Sequence, residues 1–153
     1  MEPYVRPVQY YETDMMGVAH HANYLHWMEE ARIDFMDRIG FPYTRMEAGG
    51  VVSPVVEIAC RYRKSCTFGD VISISVAVES FSPAKMALTY EMRDRKGDLV
   101  CTARSEHTFL DREGRIVRIR RVMPEFCEAI EKLMEEKPLP DNNDFCSGNV
   151  KPE

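Results

Sequence analysis

The chain is short of the features that mark a membrane protein, a secreted scaffold or a nucleic-acid partner. No apolar run approaches the ~18 residues that a membrane span needs, and the opening MEPYVRP lacks the apolar core of a secretory signal. The five cysteines, Cys60, Cys66, Cys101, Cys127 and Cys146, are an odd, scattered set without a Cys-x-x-Cys pair. They read as reduced thiols of a cytoplasmic protein. Positive charge is in deficit: 20 Lys and Arg stand against 25 Asp and Glu, a net charge of −5, so nucleic acid is not an expected partner. Gly-x-Ser-x-Gly is missing, and with it the nucleophile elbow of the α/β hydrolases. A P-loop, a Gly-x-Gly-x-x-Gly run and any internal repeat are missing too.

What is present suits one ordinary globular domain of 153 residues, 44% hydrophobic and 29% charged. The domain is expected over 1–136. From Lys137 onward, prolines, asparagines and a loss of periodicity predict a flexible tail over 137–153. Tyr24, Met28, Ala31, Phe35 and Ile39 repeat as one face of a 3.6-residue helix. Leu25, Trp27 and Met36 widen that seam and predict a largely enclosed helix, with His26, Glu30, Asp34 and Asp37 as a wet strip interrupted by Ile33. Gly40, then Pro42, ends it, and Phe41 to Gly50 reads as a connecting loop.

Period-two alternation follows in four segments, 51–62, 71–79, 85–93 and 99–110, separated by turns at Phe68-Gly69-Asp70, Ser82-Pro83 and Lys96-Gly97. That is an antiparallel meander with one face buried. A peripheral strand over 4–11, weakened by Pro7, a short basic strand over 115–121, and a helix from Pro124 to about Glu136 complete the reading. One long helix among antiparallel strands is an α+β order.

The chemistry is expected just before the long helix. A helix N-terminus presents unpaired N–H groups and about half a positive charge. It would hold a carboxylate such as Asp14 ionised and could polarise a carbonyl oxygen. The residues Thr13-Asp14-x-x-Gly17, His21-x-Asn23-Tyr24 and Glu29-x-Ala31-Arg32 resemble the signature of the 4-hydroxybenzoyl-CoA thioesterase family of hotdog-fold acyl-CoA thioesterases. The resemblance spans roughly residues 4–135, with its specific part between Tyr10 and Arg32.

It implies a hotdog fold, an antiparallel sheet wrapped around one long central helix. It also implies sheets paired edge to edge in a homodimer or homotetramer, with each active site between two chains. Asp14 takes the family's position of nucleophile or general base, and His21 the position whose backbone N–H faces the thioester oxygen. Asn23 reads as helix cap and loop organiser beside the Gly17 turn, and Tyr24 as lining beneath the site. Glu29 is a candidate for the acyl portion or a contact across the dimer, with a surface ion pair to Arg32 as the alternative. Ser53 sits on a strand that, in the family, faces the site from the partner chain. Lys85, Arg118, Arg120 and Arg121 are candidates for the phosphates of coenzyme A, or simply a solvated edge.

No cofactor is expected beyond the coenzyme A that forms part of the substrate. His20, His21 and His26 lack the i, i+4 spacing of helical metal ligands, so no metal is expected either. Two rival functions share the fold: an enoyl-thioester hydratase and a non-catalytic acyl-CoA-binding dimer. The first would carry Asp-x-Asn-Pro-x-His, and Met16 stands where its asparagine should be.

Overall fold

The computed structural model describes residues 1–136, so the expected flexible tail over 137–153 lies outside the described residues. Five strands, β1 (Tyr4–Pro7), β2 (Val55–Tyr62), β3 (Val71–Phe81), β4 (Lys85–Arg93) and β5 (Leu99–Thr108), form one antiparallel sheet. Their order is β1-β3-β4-β5-β2, which leaves β1 and β2 at the edges. The long helix α1 (Asn23–Arg38) buries Tyr24, Trp27, Met28, Ala31, Phe35 and Met36 in a core shared with the sheet. This is the expected α+β hotdog arrangement.

Alternation explains the central strands. Met86, Leu88, Tyr90 and Met92 of β4 face the core, as do Ile72, Ile74 and Val78 of β3 and Cys101, Ala103, Ser105 and His107 of β5. A register shift between Val78 and Ser80 then turns Phe81 inward. Helix α1 ends where Gly40 adopts φ +85 and the Phe41 N–H returns to the Met36 carbonyl at 2.9 Å. Glycine serves there because a left-handed residue closes the last turn.

Several expectations need correction. The 41–50 loop contains a helix, α2 (Tyr43–Ala48), entered from Pro42 and anchored by the buried Met46. The expected strand over 4–11 stops at Pro7, and Tyr10–Glu12 is a 3-10 turn. The expected basic strand over 115–121 reduces to one bridge, Leu110 to Ile116, followed by the helical turn α3 (Ile119–Val122). Only Ile119 of that turn is buried, and the alternating arginines had mimicked a strand. Strand β2 begins at Val55, not Val51, and its Val55, Val56 and Tyr62 are exposed because no strand among the described residues lies beyond this edge. Leu25 and Ile33 are likewise exposed, so α1 is open on one side, while Arg32, a charged residue, is buried.

The sheet has two distinct ends. At one, the Val8 N–H donates to Asp70 at 2.8 Å, tying the segment after β1 to the start of β3. At the other, the Ile119 N–H donates to Pro83 at 3.1 Å, tying α3 to the β3–β4 turn. The final helix α4 (Pro124–Glu136) sends Phe126 into an edge-to-face cluster with Phe41, Phe81 and Phe109 at this second end, centroids 5.4 to 6.0 Å from its own. Strand β3 alone separates the ends by roughly 30 Å at ~3.3 Å per residue.

Candidate active site

Asp14 sits in a tight turn built for it. The Thr13–Ala19 bridge closes the base, Asp14 and Val18 pair at 3.0 Å, and the Gly17 N–H returns to the Asp14 carbonyl at 3.0 Å. Gly17, at φ +76, supplies the left-handed backbone the turn needs. The Asp14 carboxylate accepts the Met16 N–H at 2.8 Å, an Asx turn. It is therefore held by an amide of its own loop, where the sequence suggested the helix. From outside, Thr67 donates to the Gly17 carbonyl at 2.8 Å and the Ala19 N–H to Cys66 at 2.8 Å.

The start of α1 follows directly. The His20 N–H donates to the Glu12 carbonyl at 2.8 Å, and the His20 carbonyl accepts the Asn23 N–H at 3.0 Å and the Asn23 amide at 3.3 Å. In a trans peptide the C=O and N–H point in opposite directions. Pinning the His20 carbonyl toward Asn23 therefore aims the His21 N–H away from it. That N–H meets no acceptor among the described residues. Asn23 thus organises the loop as a donor, also reaching the Glu12 carbonyl at 2.8 Å. The expected side-chain cap is not formed: Ala22 holds the cap position, and its N–H instead meets the His20 Nδ1 at 3.1 Å.

Beneath the turn, Tyr24 is buried, its hydroxyl 3.2 Å from the Cys66 sulfur and its ring against Trp27 and Tyr62. Burial, then the Cys66 contact, pushes its phenol well up. Tyr62, at the end of β2, donates to the His21 carbonyl at 3.1 Å. The His20 and His21 rings stack at 4.1 Å and are exposed. Among the described residues no group of three acids, histidines or cysteines could hold a metal ion.

Glu12 is the residue the sequence reading missed. Its Oε1 accepts Arg6 Nη2 at 2.7 Å and Trp27 Nε1 at 3.0 Å; its Oε2 accepts Arg6 Nη1 at 2.8 Å and the Gln9 N–H at 2.8 Å. Burial alone would raise this carboxyl, yet Arg6, Gln9 and Trp27 together hold it below the usual range. Arg6 also meets Glu30 at 2.8 Å and lies over the Trp27 ring at 4.9 Å.

The remaining candidates lie elsewhere. Glu29 is exposed on α1 and Arg32 does not pair with it: Arg32 donates instead to Tyr43 at 2.7 Å and Tyr90 at 3.3 Å. From Tyr90 a buried chain runs through Ser105 at 2.8 Å to the His107 Nε2 at 2.8 Å, and His107 also meets the main chain of Ser53. The Ser53 hydroxyl is buried without a partner among the described residues. Lys85 pairs with Glu106 at 2.8 Å, Arg120 pairs with Glu131, and Arg118 precedes α3. Asp14, Gly17, His21, Asn23 and Tyr24 thus share one end of the sheet, whereas Ser53, Lys85, Arg118 and Arg120 share the other.

Comparison with known proteins gives a consistent picture. Residues 8–142 match the thioesterase-like superfamily. A Bacillus subtilis (strain 168) protein provisionally named acyl-CoA thioesterase YneP is 36% identical over 126 residues, 82% of this chain and 91% of that protein. A 1,4-dihydroxy-2-naphthoyl-CoA hydrolase of Thermosynechococcus vestitus is 27% identical over 72% of this chain and 76% of its own. Among solved structures, a DHNA-CoA thioesterase from Staphylococcus aureus superposes with a TM-score of 0.85 at 31% identity, covering 90% of this chain and 96% of its own.

Proposed function

The chain belongs to the thioesterase-like superfamily, and on that premise we propose that it hydrolyses an acyl-CoA thioester to a free acid and coenzyme A, with Asp14 and the His21 N–H as the reacting groups. The observation that carries this reading is the unpaired His21 N–H at the foot of α1, on the same short segment as the Asp14 carboxylate. The carboxylate either attacks the thioester carbon, expelling the thiolate and leaving an anhydride for water to open, or takes a proton from the attacking water. On either route the carbonyl oxygen becomes an oxyanion, and a preorganised donor at that point is worth ~3 kcal/mol. The leaving thiolate recovers a proton as coenzyme A.

The active unit proposed is a homodimer, alone or doubled into a tetramer. Strand β2 is an open edge carrying Val56 at 52% exposure, which invites pairing with a second copy. Two β2 strands paired antiparallel about a two-fold axis bring the Val55 end of one beside the Tyr62 end of the other. Ser53, Lys85 and Arg118 of the partner subunit would then approach Asp14, which unites the two halves that one chain keeps apart. Lys85 and Arg118 would hold phosphate, with Arg120 beside them. The four described cysteines are free thiols, in keeping with a cytoplasmic enzyme. No described helix is long and apolar enough to cross a membrane.

Thiol release from a panel of alkyl and aryl acyl-CoAs tests the reaction. Asp14→Asn should lower hydrolysis at least ~10²-fold, leave binding of a non-hydrolysable analogue intact and keep the fold by circular dichroism. Asp34→Asn, on the outer face of α1, should be silent. Near-parental hydrolysis by Asp14→Asn would sink the mechanism, and hydration of an enoyl-CoA without thiol release would sink the reaction. The shared site is tested by mixing an Asp14→Asn chain with a Lys85→Glu, Arg118→Glu chain. Each mixed dimer should regain one intact site and exceed both parents at low substrate. No gain in the mixture would refute the pairing.

A further inference from the structure

Glu12 lies two residues before Asp14, and nothing in the proposed chemistry uses it. A buried carboxylate is costly unless its lone pairs are filled, and this one, at 4% exposure, is filled from three directions. Arg6 reaches it from β1, Trp27 from α1, and the Gln9 N–H from its own turn. Its backbone carbonyl receives the His20 N–H and the Asn23 amide, both at 2.8 Å. The loop carrying Asp14 leaves from Glu12 and returns to it at the His20 N–H, and the Asn23 amide ties the Glu12 carbonyl to the His20 carbonyl of the peptide that bears the His21 N–H. A displacement of this residue therefore moves both reacting groups.

We propose that Glu12 is a positioning residue, fixing the Asp14 carboxylate and the His21 N–H in one mutual geometry so that both address the same thioester carbonyl. The proposal rests on the thioesterase reading above. It differs from a purely structural role, in which Glu12 would only join β1 to α1 and affect folding without affecting turnover.

Glu12→Gln separates the two. Each carboxylate oxygen accepts two donors, so whichever oxygen becomes an amide nitrogen, two donors lose their acceptor. Turnover of an acyl-CoA accepted by the wild type should fall about 10- to 100-fold, the scale of a small misplacement of reacting groups. KM should stay within about twofold, because the nucleotide contacts are made elsewhere. The loss should persist at temperatures well below the melting point. Trp27→Phe removes a single donor while keeping a ring; it should lower kcat several-fold with KM unchanged, and it carries the test if Glu12→Gln does not fold.

Phe126→Ala, a core change at the far end, should lose stability while keeping kcat per folded molecule. Parental kcat in the folded variants, or an effect confined to KM, overturns the inference. If Asp14→Asn is inactive while Glu12→Gln and Trp27→Phe turn over normally, the thioesterase reading stands and only the positioning role falls. A wild type that releases no thiol from any acyl-CoA overturns both.

Discussion

The two ends of the sheet are stabilised by different physics. At the Asp14 end, Arg6, Glu12, Trp27 and Asn23 interlock through hydrogen bonds of 2.7 to 3.0 Å. At the other end, Phe41, Phe81, Phe109 and Phe126 meet edge to face. Hydrogen bonds weaken steeply with angle, whereas apolar burial scales with area and has little direction. The polar end can therefore aim an N–H and a carboxylate, at the risk of unpaired buried groups if one member is lost. The aromatic end can only hold a shape, which is sufficient for the charge-based phosphate contacts proposed there.

That contrast can be broken from its apolar side first. Phe126→Ala should cost about 3–5 kcal/mol of stability, as large core truncations do, read as a lowered urea midpoint with kcat per folded molecule unchanged. A matching loss of turnover would show that the ends are not independent.

A somewhat smaller effect should come from acid. Burial, with the Arg32 charge adding to it, pushes the His107 imidazole down to about 4. The unfolded chain would protonate this ring near 6.5, so between those values the unfolded state binds more protons. Stability from this group is full above about pH 6.5 and is lost as pH falls toward 4, up to about 3 kcal/mol. Denaturation at pH 7.5 and pH 5 should reveal that slope, and His107→Gln should flatten it.

The smallest effect is expected at the cations. Arg118→Glu should raise KM for an acyl-CoA by about tenfold with kcat intact. Lys85→Glu should do less, because Lys85 already shares its charge with Glu106. Both effects should shrink in high salt, and steady-state kinetics at two ionic strengths will decide.

Legibility in the sequence followed the same division. The seam of α1 and the alternation of β3 and β4 were readable because periodicity reports apolar residues against a single core. The α2 helix was hidden by its few apolar positions and the Gly49-Gly50 pair after it, and the α3 turn by arginines that alternate like a strand. Asn23 reads as a loop organiser, but its residue type suggests an acceptor and the fold uses it as a donor. Glu12 and the chain from Arg32 to His107 were invisible for a shared reason. Polar residues far apart in sequence are buried together, and no local pattern distinguishes them from surface charges. The division of candidate residues between two ends became readable only once strand order was known.

The filled lone pairs of Glu12 also bear on chemical selection. Two carboxylates stand within three residues of each other, and either type of acid could in principle serve as base or nucleophile. Glu12 has no vacant acceptor position to offer a water or a thioester, and its charge is already shared with Arg6. Asp14 accepts only the Met16 N–H among the described residues and keeps the rest of its oxygens open. Competition between the two acids is thus settled before any substrate arrives: one is committed to the scaffold, and the other remains available for reaction.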